Sequence, residues 1–201
     1  MRSDIELVQD VKLGDKKAFA VLVHRHQRSL LRLSLRFTRE LSLAEDVVQE
    51  SFVKAFQKIQ LFEERSSFKS WLFQIAVNTA RNRLRDRLRD MSTIDNIQVG
   101  IEAGAERSLL SRSLNEEIRQ EVELLPERQR TALILRVYED LSFKEIAQIM
   151  NCPYDTAKAN YRHGLLKLKE RFEKENAMEY WRELEQGVAV KVREVLAEVE
   201  A

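Results

Sequence analysis

The sequence of 201 residues has one cysteine, two prolines and five glycines. Because a disulfide within the chain needs two cysteines, none can form, and we expect Cys152 to be a small buried residue rather than a redox group. Aromatic residues make up 7% of the chain and charged residues 33%. This composition is typical of small helical domains with much exposed surface, and the length allows one or two of them.

Long hydrophobic runs are also missing, as is the pattern of a secretory signal peptide. Because a membrane-spanning helix needs about 18 to 20 apolar residues in a row, we expect a soluble, cytoplasmic protein without membrane insertion. The sequence has no phosphate-binding loop, no metal-ligand cluster and no nucleophile beside a base. His24 and His26 would point in different directions on a helix, so a metal site is not expected. The sequence therefore predicts neither an enzyme nor a cofactor.

The formal net charge is only +1, but the charges are segregated along the chain. Residues 81–90 contain five arginines against two aspartates, whereas residues 91–125 contain three arginines against seven acidic residues. A chain that is basic in one stretch and acidic in another is compatible with a nucleic-acid partner, although its total charge would not indicate one.

Residues 71–90 are the most informative stretch, because helical periodicity divides them into two opposite faces. The apolar face contains Phe73, Ala76, Val77, Ala80, Leu84 and Leu88. The polar face contains Gln74, Asn78, Arg81, Asn82, Arg85 and Arg89. Arginine binds phosphate or guanine well and asparagine can pair with a base edge, so this polar face could lie along nucleic acid. Taken alone, a solvated charged face explains the pattern equally well.

Three helices are predicted before this stretch. The first covers residues 3–13 and ends at Gly14, and Asp15 caps the second. Ser42 and Glu45 have the spacing of a capping box, which predicts the start of the third helix.

The third predicted helix carries a polar patch made of Asp46, Gln49 and Glu50. Their spacing of three and four residues places them on one outward face. Because no nucleophile, metal or buried pocket accompanies these acids, the pattern favours a contact with a protein, or plain solvation, over catalysis.

Residues 61–70 are predicted to form a polar loop that holds Phe62 and Phe68. Aromatic side chains in such a loop can stack on bases, or they can simply anchor the loop. The sequence alone does not separate these two interpretations.

The helical period is lost over residues 91–112, which makes this acidic stretch the best domain boundary. Helical patterns resume at residue 113, and Pro126 suits the first turn of the next helix. Further on, Ser142 and Glu145 form a second capping box, and a short turn then leads into a last helix that Pro153 opens. Helix, tight turn and helix, with lysine and arginine outside, favour a DNA-binding helix-turn-helix over an ordinary helical hairpin.

The predicted fold is therefore all-α, with two small helical domains joined by a flexible linker. The first domain covers residues 1–90, the linker 91–112 and the helix-turn-helix domain 113–173. Residues 174–201 form an amphipathic helical tail, which we expect to pack on the preceding domain rather than bind a partner.

Three segments of the chain, in this order, resemble bacterial sigma factors of the extracytoplasmic-function group of the sigma-70 family. AEDVVQESFVKAF resembles their polymerase-binding helix, and SSFKSWLFQIAVNTARNRLRD resembles the segment that opens promoters and reads the minus-ten element. The segment from LPERQR to KLKERF resembles their minus-thirty-five-reading domain. The resemblance runs from about residue 5 to 173, and three ordered motifs are more specific than any one of them.

The resemblance implies a dissociable initiation factor that directs core RNA polymerase to promoters and opens the DNA. Its implied partners are the beta-prime and beta subunits, promoter DNA and an anti-sigma factor. The patch of Asp46, Gln49 and Glu50 would bind the clamp coiled coil of the polymerase. The loop with Phe62 and Phe68 would capture a flipped base of the non-template strand.

The resemblance also implies residues that contact promoter DNA. On the minus-ten side these are two asparagines at the bases and three arginines at phosphates: Asn78, Asn82, Arg81, Arg85 and Arg89. On the minus-thirty-five side they belong to the recognition helix: Thr156, Lys158, Ala159, Asn160, Arg162 and His163.

The recognition helix departs from the family pattern. TAKANY stands near where T-V-K-S-R and an aliphatic residue are usual, so Ala159 and Asn160 replace a serine and an arginine. Gly164 stands where alanine is common, and Leu166 replaces a residue that is often polar. We expect the domain to fold, with an altered minus-thirty-five preference and a weaker grip on phosphate.

Two other functions compete with this interpretation. A helix-turn-helix regulator that binds duplex DNA without polymerase would explain residues 126–172 but would leave residues 42–90 without a role. An enzyme acting on nucleic acid would need the phosphate loop, metal cluster or nucleophile that the sequence does not supply.

Overall fold

The computed structural model describes residues 2–91 and 120–174. Within these two ranges the chain forms helices, turns and loops, and no strand, so the all-α prediction is confirmed. Residues 92–119 and 175–201 lie outside the description, and with them nearly all of the predicted linker and tail. The chain divides into two compact units, Met1–Ala103 and Gly104–Ala201, each of which is described by itself.

The first unit contains four α-helices and a short 3-10 turn. The helices are α1 (Asp4–Lys12), α2 (Lys16–Thr38), α3 (Leu41–Lys58) and α4 (Phe68–Met91), and the turn Ile59–Leu61 follows α3. Helices α2, α3 and α4 pack against one another, and α1 packs on α2. Their shared core consists of apolar side chains that are buried in all three long helices: Leu22, Leu30, Leu33, Val47, Ala55, Leu72, Phe73 and Val77. Each such large side chain contributes about 1.5–3 kcal/mol by leaving water.

Local sequence determines where the first helices begin and end. Asp15 accepts a hydrogen bond from the backbone N–H of Lys17 at 2.8 Å, and Gly14 has a φ of +105°, so both expected roles are confirmed. Ser3 and Glu6 form a reciprocal capping box at the start of α1 that the sequence reading did not identify.

The capping box expected of Ser42 and Glu45 is wrong, because α3 begins one residue before Ser42 and has no side-chain cap. Arg39, with a left-handed φ of 60°, turns the chain so sharply that Glu40 already occupies the cap position. The carboxylate of Glu40 is instead paired with Arg87 on α4.

A polar contact is built into the core of the first unit. His26 on α2 is 7% exposed, and its Nε2 lies 2.7 Å from Oδ2 of Asp4 at the start of α1. Arg25 also pairs with Asp4. Because a buried polar group is costly without a partner, these contacts fix α1 against α2.

The second unit contains α5 (Glu127–Val137), α6 (Phe143–Met150) and α7 (Tyr154–Lys174). The capping box of Ser142 and Glu145 is confirmed, and Asn151, with a left-handed φ of 49°, ends α6 as the turn into α7 begins. The core lies where the three helices meet, and burial raises the pKa of Tyr161 within it to about 12. The helix–turn–helix arrangement that the sequence predicted is therefore present in α6 and α7.

Two glycines provide a stability test with opposite signs. A Cβ on Gly164 in α7 would lie 3.5 Å from the Cβ of Gln129, which is ordinary contact. Because alanine is favoured over glycine inside a helix, we expect Gly164→Ala to raise the free energy of unfolding by about 0.5–1 kcal/mol. Hydrogen exchange of the slowest amides in the second unit measures this change.

Gly14→Ala is the matched control in the first unit. The space around Gly14 is open, but its φ of +105° is unfavourable for alanine, so the same substitution should lower the free energy of unfolding there. If both substitutions stabilise the protein, or if neither does, the backbone conformations described for Gly14 and Gly164 do not determine the effect of alanine.

Candidate polymerase and promoter interfaces

Helix α4 presents the polar stripe that the sequence predicted. Asn78, Asn82, Arg85 and Arg89 are exposed, and Arg81 is half-buried. On the opposite side, Phe73, Ala76, Val77 and Ala80 are at most 1% exposed. The core therefore holds the helix by one face and leaves the other, which we call the α4 stripe (Asn78, Arg81, Asn82, Arg85 and Arg89), directed outward.

The five arginines of residues 81–90 do not all belong to the α4 stripe. Arg83 donates from Nε to Oε2 of Glu50 on α3 at 2.8 Å, and Arg87 pairs with Glu40 just before α3. Two arginines therefore fix the second half of α4 against the rest of the unit. Within the stripe, Arg85 donates to Oδ1 of Asn82 at 3.3 Å, so two of its members are already oriented by each other.

The predicted polar patch on α3 is divided in the structure. Asp46 and Gln49 are exposed and make no hydrogen bond or ion pair through their side chains with the described residues. Glu50 is half-buried and bridges Lys54, at 2.6 Å, and Arg83, at 2.8 Å. Asp46 and Gln49 are thus open to a partner, whereas Glu50 joins α3 to α4.

The contacts of Glu50 predict a pH dependence of stability. A hydrogen bond from Lys54, followed by one from Arg83, holds the pKa of the Glu50 carboxyl below the ordinary 4.5 of a glutamate. A carboxyl with a lowered folded-state pKa contributes stability above its unfolded pKa and loses that contribution as the pH falls through the folded value. We therefore expect Glu50→Gln to destabilise the first unit at pH 7, and the difference from wild type to shrink below about pH 4.5.

Urea unfolding of the wild type and the variant at pH 7 and pH 4 measures this difference. Glu45→Gln is the control and should have little effect at either pH, because Glu45 is an exposed glutamate on α3 without an ion pair among the described residues. A Glu50→Gln effect of the same size at both pH values would be inconsistent with a paired carboxylate.

The two loop phenylalanines are buried. Phe62 is 2% exposed and Phe68 1%, and their ring centroids lie 6.1 Å apart in an edge-to-face arrangement. The ring of His26 also packs against Phe68, with the ring centroids 5.5 Å apart. The structure thus favours the anchoring interpretation, because the faces of both rings are covered by protein.

The loop is also shorter than predicted, because α4 begins at Phe68 rather than at residue 71. Ser67 caps the helix by accepting a hydrogen bond from the backbone N–H of Ser70 at 3.1 Å. At the other end, Lys12 donates to the backbone oxygen of Phe62 at 2.6 Å. The chain between Phe62 and Ser67 is therefore held at both ends, with Glu63, Glu64 and Arg65 exposed at its tip.

On the second unit, the last helix of the helix–turn–helix arrangement, α7, presents Lys158, Arg162 and His163 as exposed side chains. Thr156, Ala159 and Asn160 are half-buried. The amide nitrogen of Asn160 donates to the backbone oxygen of Thr156 at 2.8 Å. One N–H group of the Asn160 amide is therefore bonded to its own helix. An arginine at this position would direct its N–H groups at a partner.

Comparison with known proteins relates both units to one family. Residues 22–90 match Sigma-70 region 2, and residues 115–168 match Sigma-70, region 4. The chain is 36% identical over 167 residues to the RNA polymerase sigma-H factor of Pseudomonas aeruginosa, with 78% of this chain and 86% of the relative covered. The chain belongs to the sigma-70 family of RNA polymerase sigma factors.

Other similar proteins place this sigma factor in the extracytoplasmic-function group. The ECF RNA polymerase sigma-E factor of Haemophilus influenzae is 39% identical over 168 residues, which cover 78% of this chain and 88% of the relative. A solved structure, the sigma factor RpoE in complex with the anti-sigma factor NepR from Bartonella quintana, is 26% identical with a TM-score of 0.63. It covers 78% of this chain and 98% of that structure.

Within region 2 of this sigma factor, the structure adds Trp71, a residue that the sequence reading did not select. Trp71 is half-exposed, and its ring centroid lies 5.1 Å from that of Phe62 and 5.9 Å from that of Phe68. The buried rings of Phe62 and Phe68 thus lie beneath the partly exposed indole of Trp71 and support it. The available signal was a tryptophan next to the loop that falls, at 100° per residue, on the same side of the helix as Asn78 and Asn82.

The described part of this sigma factor contains no group of three or more His, Cys, Asp or Glu residues arranged to hold a metal ion. None of its described helices is both long and apolar enough to cross a membrane.

Proposed function

We propose that this sigma factor binds core RNA polymerase, directs it to promoters with paired minus-ten and minus-thirty-five elements, and starts the opening of the DNA. The observation that carries this proposal is the outward α4 stripe in the region 2 unit of a chain that also contains a region 4 helix-turn-helix. A stand-alone regulator needs only the latter. The protein supplies contacts and positioning, and the polymerase supplies the catalytic groups.

The polymerase contact is proposed for α3. Asp46 and Gln49 are exposed without internal partners, so they are available to the clamp coiled coil of the beta-prime subunit. Glu50 lies beside them and is paired with Lys54 and Arg83. Its negative charge is therefore partly neutralised, and only the remainder is available to the polymerase. The beta subunit is a further proposed partner.

The minus-ten contact is proposed for the α4 stripe. Asn78 and Asn82 would read bases, and Arg81, Arg85 and Arg89 would neutralise phosphates. A base that leaves the stack costs a few kcal/mol, which contacts at the loop tip and stacking on the exposed part of Trp71 would offset. Phe62 and Phe68 act from below, by supporting the indole.

The minus-thirty-five contact is proposed for α7. Lys158, Arg162 and His163 would reach the major groove or its phosphates, and Thr156, Ala159 and Asn160 would lie beside them. Because Asn160 is bonded to the helix backbone and Ala159 has no polar group, we expect weaker phosphate binding here than in relatives with serine and arginine.

The domain boundaries, location and regulation follow from the same proposal. Residues 1–90 would serve polymerase binding and minus-ten recognition, residues 113–173 minus-thirty-five recognition, and residues 91–112 would join them as a flexible acidic linker. The factor would act in the cytoplasm, where core polymerase is. Because the similar RpoE structure is a complex with an anti-sigma factor, we propose that a protein of that kind also holds this chain inactive.

A mobility-shift experiment separates a sigma factor from a stand-alone regulator. The free protein and the protein with core polymerase are each titrated onto promoter duplexes that carry both elements. We expect specific binding only with polymerase present. Tight, specific binding of the duplex by the free protein would favour the regulator instead.

A further inference from the structure

Helix α2 is strongly basic along its whole length. Its 23 residues contain two lysines, four arginines and two histidines, and no aspartate or glutamate. Neither the polymerase patch on α3 nor the α4 stripe uses these charges. A helix with many basic side chains and no acidic ones is suited to a partner that carries negative charge.

Most of the exposed basic side chains of α2 lie on one side of the helix, and the exposed Lys16 lies off it. At 100° per residue, Lys17, His24, Arg28 and Arg32 lie within an arc of about 80°, on the side opposite the buried residues Leu22, His26 and Leu33. All four side chains are exposed. We call Lys17, His24, Arg28 and Arg32 the α2 basic face.

The α2 basic face is not neutralised from within the protein. Among the described residues, the side chains of Lys17, Arg28 and Arg32 make no hydrogen bond or ion pair. Arg25, which lies off this face, is by contrast paired with Asp4. Nearby acids are thus used for structural arginines, and the charges of the outer face remain available.

The end of α2 meets the arginine-rich end of α4. Glu40 follows α2 after a single residue and is paired with Arg87, which lies between Arg85 and Arg89 of the α4 stripe. The C-terminal end of α2, which is nearer to Arg32 than to Lys17, is therefore close to the end of α4 that carries Arg85 and Arg89. On the α2 basic face, Arg28 and Arg32 are one helical turn apart, about 6 Å along the axis, so they can meet successive phosphates of one strand.

We propose that the α2 basic face binds the phosphate backbone of promoter DNA next to the segment that α4 holds. The inference rests on the proposed sigma-factor function. It adds a second, sequence-independent DNA contact to region 2, which strengthens promoter binding without changing which bases are read. Arg28 and Arg32 carry most of this contact, since they are exposed, permanently charged and adjacent on the face.

The salt dependence of promoter binding by the complete holoenzyme tests this site. Each phosphate contact contributes roughly 0.9 to the slope of log affinity against log salt. We expect Arg28→Gln/Arg32→Gln to reduce that slope by about 2 and to weaken promoter binding on the order of tenfold, with unchanged discrimination among minus-ten sequences. Lys16→Gln/Lys58→Gln removes the same charge from exposed positions outside the face, and should leave the slope nearly unchanged.

The affinity for core polymerase, measured without DNA, separates this proposal from its rivals. If Arg28→Gln/Arg32→Gln lowers that affinity, the face contacts an acidic protein surface and the DNA proposal is overturned. The exposed Val21 and Leu35 on the same side would then matter too, and Val21→Ser/Leu35→Ser would weaken polymerase binding. Unchanged salt slope and unchanged polymerase affinity would also overturn the proposal. Failure of the wild-type holoenzyme to recognise any promoter would instead count against the sigma-factor function itself.

Discussion

Replacing Asp46 with arginine is expected to weaken binding to core RNA polymerase by about a hundredfold or more, while the protein stays folded. Asp46 is exposed on α3 and has no partner among the described residues, so its loss removes no internal contact. Truncating one member of a charge pair that becomes buried in an interface costs roughly 2–5 kcal/mol, and reversing its sign adds repulsion. Titration of labelled core enzyme gives the affinity, and circular dichroism with thermal unfolding verifies the fold.

Glu45→Arg is the matched control for Asp46→Arg. It makes the same change of charge on the adjacent residue, which points about 100° away around the helix. We expect it to reduce polymerase affinity much less. Normal binding by Asp46→Arg would remove the patch from the interface, and equal losses in both variants would show that only net charge matters.

Replacing Asn78 and Asn82 together with alanine is expected to relax minus-ten selection. Both side chains are exposed on the α4 stripe, so the double variant should fold normally. Because a specific base contact contributes roughly 1–3 kcal/mol of discrimination, the preference for the best minus-ten sequence over single-base variants should fall tenfold or more. Abortive initiation on a set of promoters that differ only in that element measures the preference.

Gln27→Ala serves as the control for the asparagine pair, because it removes an exposed amide from α2 instead of α4. It should leave promoter preference unchanged, and neither variant should alter the affinity for core polymerase. If the asparagine double variant keeps its full preference, the register assigned to the α4 stripe is incorrect.

Periodicity was sufficient to predict both faces of α4. Phe73 and Val77 are buried and Asn78 and Asn82 are exposed, because a helix with one apolar side has only one way to satisfy a core. The second capping box was equally predictable, since Ser142 and Glu145 each accept the backbone N–H of the other, three residues away. The same spacing at Ser42 and Glu45 nevertheless forms no capping box, because α3 begins one residue before Ser42.

Features that depend on how helices meet were not predictable. Glu50 looked like a third member of the polar patch, but the approach of α4 brings Arg83 to it. Similarly, the burial of Phe62 and Phe68 depends on α1 and His26, which are distant in sequence. Periodicity gives the face on which a side chain lies, but not what another element places against it.

The departures in α7 include one feature that the sequence predicts and one that depends on the folded structure. The sequence alone shows that Ala159 has no polar group, and weaker binding of phosphate is predicted from it. The hydrogen bond from Asn160 to the backbone oxygen of Thr156 depends instead on the rotamer that Asn160 adopts in the folded helix. The effect of these departures on minus-thirty-five preference stays a prediction.

The most direct test of the account is to map the 5′ ends of transcripts made by core RNA polymerase on a genomic DNA library, with and without this protein. The account predicts new transcripts that depend on the protein and start a fixed distance downstream of a shared pair of sequence elements. It also predicts that Asp46→Arg abolishes them. A chain that neither associates with core polymerase nor produces defined start sites would contradict the account.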